Sequence, residues 1–99
     1  MRSVFISHPF AGDPAGNAAS VRTIARELAT KGVLPIAPHL LLPQFIDEPQ
    51  ERALALRLCL ELVGMADEVR VYGDPTEGMR LEIAEAERLR IPIVRGELP

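Results

Sequence analysis

What the chain has little of removes several kinds of function at once. A single cysteine, Cys59, in 99 residues excludes an internal disulfide. With only two histidines beside it, a cysteine-rich zinc site is excluded too. Such usage fits a reducing compartment, so a cytoplasmic protein is expected. Tryptophan is absent, and three Phe and one Tyr are too few for a surface that stacks bases. Lys31 is the only lysine, no basic block occurs and the formal charge is −3. That balance argues against a nucleic-acid backbone as the partner. No apolar run approaches the ~20 residues of a membrane helix. Met1-Arg2 leads directly into a β-rich run, so no leader peptide is expected either. Three common signatures are missing: G-x-G-x-x-G, G-x-x-x-x-G-K-[ST] and G-x-S-x-G. His8 and His39, even joined by Asp13 or Asp74, have no diagnostic ligand spacing, and neither metal nor cofactor is expected.

What is present is a regular alternation. Ser3 to Ser7 is a short apolar run that reads as a buried strand. A turn-rich loop follows, then a helix with Asn17 as its N-cap and Val21, Ile24, Ala25 and Leu28 as its inward stripe. Lys31-Gly32 closes it. Val33 to Ala37 is the second strand, placed at a sheet edge because Pro35 has no N–H to donate. Leu40 to Ile46 reads as an apolar loop that folds over a ligand or packs on a second subunit. Asp47 caps the next helix, with Pro49 in its first turn and Gln50 at the capping-box position. That helix, 47–65, is apolar on more than one face, which predicts a homo-oligomer assembled through it. Cys59 lies among its leucines and reads as a core thiol. Glu68 to Tyr72 is the third strand, 77–90 the third helix with Ile83, Ala86 and Leu89 inward, and Ile91 to Val94 the fourth strand. The expected fold is α/β: one domain over 1–99, βαβαβαβ, a four-stranded parallel sheet of order 2-1-3-4 in three layers, flavodoxin- or Rossmann-like.

The stretch Gly73 to Glu82 organises the chain. It is a strand-to-helix turn, and in an open parallel sheet ligands bind where such turns gather. Gly73 and Gly78 permit backbone shapes closed to other residues. The unpaired N–H groups that open the helix favour an anion, and Glu82 lies about one turn inside. Glu77 and Glu82 can equally be read as complements to the helix dipole. Three strand ends converge there: Ser7, His8, Phe10, Gly12 and Asp13 from the first, His39 from the second, and Asp74, Thr76, Glu77, Gly78, Met79 and Glu82 from the third.

At these residues a resemblance appears. Phe5-Ile6-Ser7-His8-Pro9-Phe10-Ala11-Gly12-Asp13, with Asn17 beyond, resembles the Y-I-S-G-P-Y-x-G start of the nucleoside 2-deoxyribosyltransferase-like superfamily. Pro38-His39 is similar to its C-P-H. Glu77-Gly78-Met79-Arg80-Leu81-Glu82-Ile83, ahead of Ala86 and Ile91-Pro92-Ile93, resembles its S-x-G-M-x-x-E-I block. The blocks agree in order and spacing over nearly the whole chain, and the small phage and bacterial members of unknown function look most similar.

The resemblance implies a nucleoside or nucleotide as the small-molecule partner and Glu82 as the nucleophile at its anomeric carbon. It implies that Thr76, with the N–H groups of Gly78 and Met79, holds a 5′-phosphate. An aromatic on the exit of the first strand steadies that glutamate in the family; Phe5 and Phe10 are nearest here, and neither has a hydroxyl. Active members carry an aspartate where Cys59 stands and tend to carry another at Thr76, so Asp74 or His39 would have to supply the acid. Three readings stay open: an enzyme acting on an N-glycosidic bond, a nucleotide-sensing module without turnover, and an interaction protein working through its second helix. Released base, binding without release, and no nucleotide binding at all would separate them.

Overall fold

The structure, a computed structural model, describes residues 1–47 and 50–99. Four parallel strands, β1 (Ser3–Ser7), β2 (Leu34–Ile36), β3 (Glu68–Val71) and β4 (Ile93–Arg95), form one sheet in the order β2-β1-β3-β4. Val4 pairs with Pro35 on one side and with Glu68 on the other, which centres β1 and puts Pro35 in an edge strand. The helices are α1 (Pro14–Thr30), the short α2 (Pro38–Leu41), α3 (Arg52–Gly64) and α4 (Glu77–Arg88).

The period of two along β1 sorts the core into two halves. Val4 and Ile6 face α1, where Val21, Ile24 and Leu28 form the expected stripe. Phe5 points to the opposite face, with Val69 and Val71 of β3, Val63 of α3 and Met79 and Ala86 of α4. Ser7 shares the parity of Phe5 and therefore faces α4. The result is the three-layer α/β fold expected from the alternation.

Several boundaries differ from the sequence reading, each for a local reason. α1 begins at Pro14, not after Asn17. Asp13 is its N-cap, its Oδ1 accepting from the Gly16 N–H at 3.1 Å, and Pro14 supplies a preset φ at the first turn. Asn17, one turn inside, instead donates from Nδ2 to the Phe10 carbonyl at 2.9 Å and ties down the loop. The apolar segment after β2 is not a loop, because Pro38 and Pro43 each open a helical turn, α2 and a 3₁₀ turn over Leu42–Gln44. α3 starts at Arg52 rather than Asp47. The Asp47 N–H is taken by Glu51 Oε1 at 2.9 Å in a turn ahead of the helix; Pro49, expected in the first turn, lies outside the described residues. α4 begins where expected, but its inward stripe is Met79, Glu82 and Ala86. Ile83 is half-buried and Leu89, past the helix end, is exposed.

Candidate functional site

The carboxyl ends of β1 and β3 lie side by side, joined by the Tyr72 N–H donating to the Ser7 carbonyl at 2.9 Å. Each strand then turns away in its own direction. After β3 the chain turns at Gly73, whose φ of +71° is left-handed and would strain any residue with a side chain. Between these ends, α2, α3 and the first turn of α4 enclose a cleft of about 410 Å³.

The lining combines two surfaces. Pro38, Leu42, Pro43, Ala55 and Leu56 are apolar; His39, Arg52, Thr76, Glu77 and Glu82 are polar or charged. Of the residues singled out in the sequence, the cleft gathers His8, Phe10, Gly12, His39, Thr76, Glu77, Gly78, Met79 and Glu82. Asp13 and Asn17 serve the start of α1 instead. Asp74 is exposed and outside the lining, and Ser7 is wholly buried behind it. Cys59, read as a core thiol, is half-buried and lines the cleft. Arg52 was not anticipated; only its place at the first turn of α3 brings it here, and no motif marks it.

Glu82 is the chemical centre. It is 5% exposed, on the inward stripe of α4, and its Oε1 accepts from Ser7 Oγ at 2.7 Å. Burial pushes its pKa from the ordinary 4.5 to about 7, and the Ser7 hydroxyl works against that rise. Neither Phe5 nor Phe10 takes the part of a glutamate-steadying aromatic. Phe5 is fully buried in the core, and Phe10 stacks on His39 with ring centroids 5.2 Å apart.

The histidines are anchored through their ring nitrogens. His8 lines the cleft yet is only 2% exposed. Its Nδ1–H donates to the Pro9 carbonyl at 2.7 Å, and Ser20 Oγ meets Nε2 at 2.9 Å. His39 donates from Nε2 to the His8 carbonyl. Burial lowers the pKa of His39; the carbonyl contact opposes this and the nearby His8 ring adds to it. The ring is thus held neutral, with Nδ1 as its lone-pair nitrogen. Among the described residues, no three of His, Cys, Asp and Glu come together as a metal cluster.

At the head of α4, Thr76 is the N-cap. Its Oγ1 accepts from the Met79 N–H at 3.3 Å, while Met79 Sδ receives the Thr76 N–H at 3.4 Å. The Met79 N–H is therefore spoken for, which leaves those of Glu77 and Gly78 as the orphan donors of this end. Gly78, expected to supply an unusual backbone shape, has an ordinary helical one. A Cβ there would meet no atom within 4 Å, so the missing side chain keeps space open at the cleft.

This architecture is the one adopted by 2-deoxyribosyltransferases. The fold is similar to a 2-deoxyribosyltransferase from the psychrotolerant bacterium Bacillus psychrosaccharolyticus, with a TM-score of 0.76 and 17% identity over 96% of this chain and 72% of that one. It is similar also to a 2-desoxiribosyltransferase from Leishmania mexicana, with a TM-score of 0.75 and 14% identity over 98% of this chain and 65% of that one. At these identities the likeness is one of fold. Residues 2–96 match a family model described as a domain of unknown function (DUF7768), and the chain belongs to that family. No curated protein matches the sequence. Among the described residues, no helix is long and apolar enough to cross a membrane.

Proposed function

We propose that the protein breaks the N-glycosidic bond of a nucleoside or nucleoside 5′-monophosphate, by hydrolysis or by transfer to a second base, with Glu82 as nucleophile. The observation that supports this reading is the Glu82 carboxyl group, buried yet lining the cleft, on a fold shared with 2-deoxyribosyltransferases. Glu82 Oε2 attacks C1′ as the bond to the base nitrogen breaks. The bonding pair leaves with the base, which takes up a proton from solvent water, and the sugar remains as a glycosyl ester. Water or a second base then attacks C1′ and frees the carboxylate. His39, held neutral in the cleft, takes the proton from that attacking water. Arg52 and the orphan N–H groups of Glu77 and Gly78 receive a 5′-phosphate. Asp74 has no part, being outside the cleft.

Chromatography of reactions with a panel of deoxynucleosides and their 5′-monophosphates tests this. Wild type is expected to release free base from at least one, and Glu82→Gln to lose ~10³-fold or more while still binding it. Thermal shifts without any release would replace the enzyme by a binding module.

The exposed Leu54 of α3, with Leu41, Phe45 and Leu81 exposed on other elements, supports assembly of identical copies through α3. Light scattering should give a mass above one chain, and Leu54→Glu should return it to one. A monomeric wild type at high concentration ends that part of the reading.

A further inference from the structure

We propose that Ser7 is a positioning residue for Glu82: its hydroxyl fixes the orientation of the carboxyl group from beneath, so that Oε2 is the oxygen presented to substrate. This rests on the reading of Glu82 as nucleophile. Ser7 is the last residue of β1 and fully buried, and it is absent from the cleft lining, so no ligand reaches it. Its parity along the strand aims it at α4. Its backbone is held by pairing with Val71 and by the Tyr72 N–H, so the hydroxyl has a fixed origin. A serine hydroxyl carries one proton, and here it goes to Glu82 Oε1 at 2.7 Å. Ser7 is therefore not a substrate contact, as the sequence had placed it. It supplies, from two residues further along the strand, the hydroxyl that Phe5 lacks.

A donor to the charged form also opposes the effect of burial on Glu82. The other titratable or charged groups around the cleft are His8 and His39 on the β1 and α2 side, Arg52 and Cys59 on α3, and Glu77 at the head of α4. All stay in place when Ser7 is replaced.

The test is a carbon-13 carboxyl titration of wild type, Ser7→Ala and Ser7→Thr, with the Glu82 signal identified by its loss in Glu82→Gln. Wild type is expected to titrate near 7. Ser7→Ala should move the midpoint up by about one pH unit, and Ser7→Thr, which keeps the hydroxyl, should bring it back. In the base-release assay, Ser7→Ala should lose kcat/KM at pH 9, where the carboxylate is ionised but no longer held, and about tenfold more at pH 6, where the raised midpoint adds to it. An unchanged midpoint, or a kcat/KM at pH 9 equal to that of wild type, overturns the proposal. If Ser7→Ala does not fold, Ser7→Cys, a weaker donor, carries the same comparison. If wild type releases no base at any pH, the nucleophile reading falls, and the titration alone decides whether Ser7 governs Glu82.

Discussion

Glu82→Gln is expected to melt higher than wild type at pH 8, by roughly 12–24 °C, although it removes the charged group at the centre of the cleft. The sign follows from linkage. The folded-state pKa of Glu82 lies above its unfolded value, so between about 4.5 and about 7 the folded chain holds a proton that the unfolded chain has released. Stability from this group is full below about 4.5 and is lost as pH rises through about 7. By pH 8 the buried carboxylate costs about 3 kcal/mol, on the order of the displacement converted to free energy. Glutamine keeps the shape and an acceptor for Ser7, and needs no charge in the core. Melting curves at pH 5 and pH 8 check this: the advantage of the variant should be large at pH 8 and nearly absent at pH 5. A variant that melts below wild type at pH 8 would mean that the ionised carboxylate stabilises the fold. On the proposed function, the same cost is what a nucleophile held away from water entails, relieved when a cationic sugar forms beside it.

Phe5→Ala is expected to cost about 3–5 kcal/mol, the range for truncating a fully buried aromatic. Phe5 is at the middle of the central strand and packs into the half of the core built by β3, α3 and α4. A domain of this size has roughly 5–15 kcal/mol in all, so the variant should be largely unfolded by mild urea. Urea titration of both proteins measures the difference. A loss under about 1 kcal/mol would mean that the neighbouring Val63 and Met79 collapse into the space. Because Ser7 lies two residues along the same strand, any surviving fold should also show a displaced Glu82.

The sheet was legible because its signals are redundant. Each strand is an apolar run bounded by turn residues, each helix a stripe, and Pro35 independently marks an edge. Helix starts were less so, since Asp13 and Asn17 both qualify as caps, and only the Pro14 beside Asp13 separates them. The convergence of Glu82, His39 and Thr76 follows from topology and was readable. What escaped was the depth of each residue. His8 looks like a loop residue and is buried under Ser20 and Pro9, and Cys59 looks like core and borders the cleft. The partner of Glu82 was within reach, for Met79, Glu82 and Ala86 have the spacing of one inward stripe, and Ser7 has the parity of Phe5. An acid on an inward stripe needs a donor, and the facing strand had one to offer.

The margins of the sheet have a consequence of their own. Its two outer strands are three residues long, and one of them is interrupted by a proline. A passing chain that tried to extend the sheet would find too few free amide and carbonyl groups to register on. Recruitment of further strands into a growing fibre is thereby stopped at both sides. The molecule can keep an apolar surface for association on its helices without inviting polymerisation along its strands.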